Sequence, residues 1–192
     1  MNTVSLDRFG VVRGMTSAQQ DEMVADFKPY DIVRRIERWS IREFMRENAG
    51  LLASGRVLDF GAGDRPYRSL VRGEYIAFDP GRDYGDIQQD PATGAPCVYD
   101  AVICNQVAQY VNGFHRTLRT IYHALKPGGH LVMTFATNWD EVEDADLFRH
   151  TKTGMTMLLM HAGLDVVKYE RRAEVAFGPF RFPLGYGVVA KK

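Results

Sequence analysis

Apolar residues along this chain follow two alternating patterns, and that alternation predicts the fold before any single residue is considered. From Tyr30 to Ala49, Ile32, Val33, Ile36, Trp39 and Phe44 recur at roughly helical spacing, with Gly50 as the expected stop. Arg56-Val-Leu-Asp-Phe60 is a short apolar run ending at a glycine turn, the pattern of a buried strand. A helix is expected to begin near Asp64, whose carboxylate suits free backbone amides, with Pro66 in its first turn. Tyr75 to Phe78 reads as a second strand, Gly85 to Ile87 as a short third, and Ala101 to Cys104 as a fourth. Phe114, Leu118, Ile121, Tyr122 and Leu125 make a helical stripe closed by Lys126-Pro-Gly-Gly129. His130 to Ala136 is the expected fifth strand. Met155, Leu158, Leu159 and Ala162 form another helix face, capped by Gly163. Leu164 to Tyr169 and Tyr186 to Ala190 read as two last strands with no helix between them.

Strands alternating with helices imply an α/β three-layer sandwich: a mostly parallel seven-stranded sheet with helices on both faces. The two last strands, joined directly, imply a C-terminal antiparallel hairpin at one edge. With no repeat and no linker, residues 1–192 read as one domain. Residues 1–50 form an N-terminal arm and helix suited to act as a lid, and 51–192 form the core. Residues 1 to about 28 lack periodicity and read as the arm.

Composition changes this picture little but excludes several functions. The chain has 192 residues, 45% hydrophobic and 25% charged, an ordinary globular composition. Lys plus Arg and Asp plus Glu number 24 each, so no global charge recruits a polyanion. The arginines from Arg34 to Arg46 are interleaved with Glu37 and Glu43, which reads as the solvated face of a helix. Nucleic acid is therefore not the expected partner. The two cysteines, Cys97 and Cys104, suit neither a disulfide framework nor a four-ligand metal site, and no metal is expected. The start of the sequence lacks the apolar core of a secretory signal, and no stretch approaches a membrane span. A cytoplasmic location is the expectation.

Candidate chemistry collects where the strands end. The segment Val57-Leu-Asp-Phe-Gly-Ala-Gly63 delivers Asp59 to the carboxyl edge, where open α/β sheets bind ligands. Asp59 sits where an acceptor for an ammonium group is useful, and Gly61 and Gly63 let the backbone approach a ligand closely. A dinucleotide fingerprint requires a third glycine where this chain has Pro66, and the acidic Asp64 disfavours a pyrophosphate. An adenosine without phosphates fits better. Asp79, ahead of Pro80, closes the second strand and is placed to accept both ribose hydroxyls, although Asp79-Pro80-Gly81 is also a good turn. Asp90 either accepts from an adenine amino group or is simply solvated. Asn105 and Gln106 emerge at the same edge and line either the cofactor or the acceptor pocket. Cys104, inside an apolar run, reads as packed, and Asp100 as the start of its strand.

The order VLDFGAG, YIAFDP, YDAVICNQVAQYV and TLRTIYHALKPGGHLVMTFA resembles the successive motifs of class I methyltransferases. The later segment RHTKTGMTMLLMHAGLDVVKYE is similar to the small-molecule branch of that family, so the resemblance runs from Arg56 to Lys192. It implies a seven-stranded sheet with S-adenosylmethionine over its carboxyl edge. By that resemblance, Asp59 with the turn Phe60, Gly61, Ala62 and Gly63 holds the methionine end. Asp79 and Pro80 meet the ribose, Asp90 reaches the adenine, and Asn105 with Gln106 closes the pocket. The family often has Glu-His where this chain has Gln109-Tyr110, so no acid–base pair is placed there.

Methyl transfer from such a cofactor is an in-line displacement, and a general base is needed only for a nucleophile with a tightly held proton. His150, His115 and His130 are available. His150, beside Arg149 and ahead of a helix, is the best-placed candidate, although a loop histidine is more often a bystander. A small-molecule, sugar, lipid-linked or peptide acceptor is expected, roofed by Met15, Phe27, Tyr30 and Trp39 or simply packed beneath that helix. Two rivals stand beside this reading: a non-catalytic cofactor-binding module, and a nicotinamide-dependent oxidoreductase. Oligomeric state is open.

Overall fold

The computed structural model describes residues 29–80, 98–139, 141, 146–177 and 179–192. The arm with Met15 and Phe27, the short strand expected over 85–87, Asp90, Cys97 and Asp140 lie outside the described residues.

Three α-helices and six strands are described: α1 (Pro29–Glu47), β1 (Arg56–Phe60), β2 (Glu74–Phe78), β3 (Tyr99–Asn105), α2 (Phe114–Ala124), β4 (Leu125–Ala136), α3 (Lys152–His161), β5 (Asp165–Phe177) and β6 (Phe180–Lys191). The strands form one sheet in the order β2-β1-β3-β4-β6-β5. β1 to β4 run parallel, and β6 is antiparallel to both β4 and β5. The architecture is thus the expected α/β sandwich with a C-terminal hairpin, with six strands of the sheet among the described residues.

Each strand contributes alternate residues to opposite faces. On one face, Leu58, Val102, Cys104, Leu131 and Met133 pack beneath Phe114, Leu118 and Ile121 of α2 and Met155 and Leu159 of α3. On the other, Val57, Ala77, Ala101, Ile103 and Val132 lie beneath Ile41, Phe44 and Met45 of α1. A third, smaller cluster joins Ile36 of α1 to Ala173 and Leu184 of the hairpin, with Trp39 and Trp139 against it. The hairpin pairs out to Phe177 and Phe180, well past the ends expected from the sequence, and so rises beyond the carboxyl edge.

Two local expectations are corrected. No α-helix begins near Asp64. The link from β1 to β2 is a run of tight turns, in which Arg65 N–H donates to Ala62 O at 2.8 Å and Arg68 N–H to Arg65 O at 3.1 Å, followed by a short 3-10 turn at Arg68–Leu70. Pro66 has no N–H, and Arg65 is left-handed with φ 56°, so the chain never enters a continuous helix. α1 also stops before Gly50, at Asn48, whose side-chain amide donates to Phe44 O at 2.6 Å and competes for a helical carbonyl. The cap of α3 is as expected: Gly163 is left-handed at φ 90°, while Thr151 Oγ1 accepts from Gly154 N–H at 3.0 Å at the other end.

Candidate cofactor site

The turn after β1 is shaped by its glycines. Gly61 has φ 76°, and a Cβ there would stand 2.4 Å from Val107 Cγ2, so only glycine lets this turn lie against the loop after β3. The N–H groups of Gly61 and Ala62 both donate to Phe78 O, at 2.7 and 3.1 Å. Gly63 N–H donates to Asp79 Oδ2 at 3.1 Å. Phe60 and Phe78 bring their rings to 5.1 Å, tying the two strand ends together, and Pro80 is exposed just beyond. The amides that a pyrophosphate would need are therefore committed to the end of β2, and no helix terminus is present to assist. That geometry suits a ligand without phosphates and leaves the dinucleotide alternative without an anion cradle.

Asp59 points to the α1 face, 1% exposed, and accepts from Tyr75 Oη–H at 2.6 Å. Burial pushes its pKa up to about 6; the Tyr75 hydrogen bond opposes that shift and repulsion from Asp79 adds to it. A cationic group beside it would relieve that cost. Asn105 and Thr134 lie on the same face by alternation from Ile103 and Val132, and they pair across β3 and β4. Gln106, left-handed at φ 54°, donates through its N–H to Thr134 O at 2.9 Å and through Nε2 to Thr134 Oγ1 at 3.2 Å. Gln109 Nε2 donates in turn to Gln106 Oε1 at 3.1 Å.

Asn105 stands apart in this row. Its side chain is buried, yet among the described residues neither Oδ1 nor Nδ2 has a hydrogen-bond partner, and Gln109 Oε1 also lacks one. Leaving a buried polar atom unpaired costs about 1–3 kcal/mol, so such groups mark where a ligand or water belongs. A donor–acceptor pair on Asn105, a buried carboxylate on Asp59 and a carboxylate bracing the turn at Asp79 fit a ligand rich in amino and hydroxyl groups.

The other sequence candidates do not join this row. His150 Nε2 lies 3.3 Å from Ala108 O, and its ring packs near those of Phe114, Phe148 and Phe135, at 6.1, 6.2 and 6.4 Å. His115 is exposed on α2, and His130 stands at the amino end of the parallel stretch of β4, away from the carboxyl edge. Cys104 is a fully buried free thiol whose pKa burial raises, in keeping with a packing role. Asp100 accepts from Arg56 N–H and from Lys126 Nζ, each at 2.8 Å, at the amino end of β3.

Several polar residues escaped the sequence reading, and Glu37, expected on a solvated helix face, is buried. Arg172 on β5 is 2% exposed and meets Glu37 and Ser40 of α1. Tyr67, in the turn after β1, feels Asp59, Arg172 and Glu37, and burial raises it to about 12. Glu37 and Ser40 sit on the apolar stripe of α1, the one signal that marked them. Arg172 was hidden because a bulge between Val166 and Lys168 breaks the alternation of β5.

A family model described as a methyltransferase domain matches residues 30–171. Solved structures share the fold at low identity. An S-adenosylmethionine-dependent methyltransferase from Archaeoglobus fulgidus is 14% identical, with a TM-score of 0.63, covering 86% of this chain and 100% of that one. The 1,6-didemethyltoxoflavin-N1-methyltransferase of Burkholderia thailandensis, solved with 1,6-didemethyltoxoflavin and S-adenosylhomocysteine, is 16% identical with a TM-score of 0.60, covering 93% and 91%. A possible histamine N-methyltransferase from Thermotoga maritima is 14% identical with a TM-score of 0.60, covering 92% and 100%. No curated protein matches the chain.

Proposed function

The chain belongs to the methyltransferase-domain family, and from that premise we propose that it methylates a small-molecule, sugar, lipid-linked or peptide acceptor held between α1 and the carboxyl edge of the sheet. S-adenosylmethionine is the methyl donor. The observation that carries the proposal is the buried amide of Asn105, without a hydrogen-bond partner among the described residues, on the same face as Asp59 and beside a glycine turn whose amides are already committed. A small acceptor is favoured by the zero net charge and by the Burkholderia relative solved with its small-molecule ligand.

In this reading Asp59 receives the amino group of the methionine end, and Phe60, Gly61, Ala62 and Gly63 form the floor beneath it. Asp79 accepts from the ribose while bracing Gly63, with Pro80 ending that contact. Asp90 takes the adenine, and Asn105 and Gln106 close the pocket. The bound cofactor supplies a methyl group already activated on a sulfonium. The protein's task is to hold the acceptor nucleophile in line and exclude water, and such alignment is worth about 7–11 kcal/mol. His150 is the candidate base where the acceptor carries a tightly held proton, but its ring packs against Phe114 and Phe135 on the α2 face, so it serves only an acceptor that reaches over the carboxyl edge to that side.

Calorimetric titration with S-adenosylmethionine and S-adenosylhomocysteine tests the cofactor site. Micromolar dissociation, about −8 kcal/mol, is expected for the native chain. The Asp79→Ala variant loses a charge-assisted bond worth about 1.5–3 kcal/mol and should bind at least roughly tenfold more weakly. No binding of either ligand to the folded native chain contradicts the reading.

A further inference from the structure

The polar row does not end at Thr134. Beyond it, where β6 offers only Gly185 and Gly187 on the α1 face, the side chain of Arg172 crosses from β5 and fills the space that side chains would take. A Cβ on Gly185 would stand 2.4 Å from Arg172 Nη2. The guanidinium is therefore carried toward the carboxyl end of β4, where Nη2 donates to Phe135 O at 3.3 Å. On α1 it meets the middle of the helix: Nη1 donates to Ser40 Oγ at 3.4 Å, and Nη2 is 3.8 Å from Glu37 Oε1.

These contacts are long for a buried cation, since a well-made charge-assisted pair is about 2.7–2.9 Å. Among the described residues Nε has no hydrogen-bond partner. A guanidinium carries five donors in a rigid fork matched to an oxyanion, and here one edge of the fork is unsaturated. Glu37 gains as little from the arrangement: burial raises its pKa, and burial lowers Arg172 to about 10. The last turns of α1 pack through Phe44 and Met45 into an apolar cluster, with Phe44 filling the space over Gly187. The middle of α1, over Arg172, is joined instead to the hairpin by Ile36, Ala173 and Leu184, with Trp39 and Trp139 against them.

Resting on the methyltransferase reading above, we propose that Arg172 is the specificity residue of the acceptor subsite, and that the acceptor carries an oxyanion, a carboxylate or a phosphate. The anion takes the Nε edge of the guanidinium and displaces the distant Glu37 as its partner. The apolar body of the acceptor then lies against the Ile36–Leu184 cluster, and the nucleophile faces the row of Asn105 and Thr134. The closed contact of Arg172 with Ser40 and Glu37 is the resting form, and a shift of α1 at Glu37 and Ser40 admits the acceptor.

The unpartnered Nε–H is itself the probe. In ¹⁵N-labelled full chain saturated with S-adenosylhomocysteine, the Arg172 Nε–H resonance, identified by its loss in Arg172→Lys, is followed at constant ionic strength. Acetate, methyl phosphate or neutral acetamide is added. A saturable downfield shift with acetate or with methyl phosphate, and none with acetamide, is expected, and the anion that binds tells a carboxylate acceptor from a phosphorylated one. Glu37→Gln removes the competing carboxylate and should tighten that anion by roughly tenfold. A resonance unmoved by both anions, or an anion weakened by Glu37→Gln, overturns the proposal. So does a shift already complete with S-adenosylhomocysteine alone, which would assign Arg172 to the cofactor's own carboxylate. If S-adenosylhomocysteine fails to bind, the methyltransferase reading falls by itself, and the anion titration on the free chain still reports on Arg172.

Discussion

The two faces of the sheet are made by the same strands, yet they are built to different rules. Against α2 and α3, every buried position contributed by β1, β3 and β4 is apolar, from Leu58 through Cys104 to Phe135. Against α1, the strand ends carry Asp59, Asn105 and Thr134, and Arg172, Glu37 and Ser40 extend that row toward the hairpin. Neighbours one residue apart divide between the two faces: Leu58 and Asp59, Cys104 and Asn105, Met133 and Thr134. The period of two in a strand thus lets one segment pack an apolar face on one side and carry polar groups on the other. Among the described residues the polar face keeps Asn105 and Arg172 Nε without hydrogen-bond partners, which is where the proposed ligands would bind.

The comparison is broken most forcefully from the dry side. Leu118→Ala, in the middle of α2, should destabilise the fold by about 2–5 kcal/mol in denaturant melts, with no change in S-adenosylhomocysteine affinity for the folded fraction. A comparable loss of affinity at fixed folded fraction would show that the faces are not separable. Gly61→Ala comes next. Its left-handed backbone and the overlap with Val107 burden the folded chain itself, so melting should show a loss of about 1–3 kcal/mol, and a turn that relaxes by shifting should also weaken cofactor binding.

A pH series sharpens the contrast further. Asp59 is raised to about 6, so its protonated form is the one the empty fold favours. Its contribution to stability is complete below the ordinary carboxylate range and is lost as pH rises through about 6. A cofactor amino group reverses that preference. Affinity should climb by up to about tenfold per pH unit below 6 and level off above it, and Asp59→Asn should flatten the climb. A native profile without slope would separate Asp59 from the amino group.

The smallest effect is the most diagnostic. Asn105→Ala removes a buried amide that has no partner, so the free protein should be no less stable and should gain at most about 1 kcal/mol, while cofactor affinity falls. Cys104→Ala, one residue away and facing α2, should do the opposite. Paired melts and titrations of the two variants read this directly.

How much of this was legible in the sequence follows the same division. The dry face was read almost completely, because the stripe Phe114, Leu118 and Ile121 and the runs in β1, β3 and β4 are periodic over their whole length. The glycine turn and the polar strand ends were read because they interrupt those runs. The helix expected at Asp64 was not formed, because left-handed Arg65 and Pro66 outweigh the capping value of an aspartate. The hairpin was read too short although Phe180, Phe182, Leu184 and Tyr186 alternate, because Pro183 inside that run argues against a strand. Arg172 and Glu37 were missed for a different reason. Glu37 lies on the apolar stripe of α1, but the charges around it read as surface, and a bulged strand hides Arg172, so only tertiary packing buries both.

The central claim is that the carboxyl edge on the α1 face is the cofactor site and the opposite face is not. Amide ¹H–¹⁵N shifts recorded while S-adenosylhomocysteine is added test it most directly. The account predicts saturable changes concentrated at Asp59 to Gly63, Asp79, Asn105 and Gln106, with α3 and the amino ends of the strands unmoved. Changes centred on α2 and α3, or none anywhere in the folded chain, would contradict it.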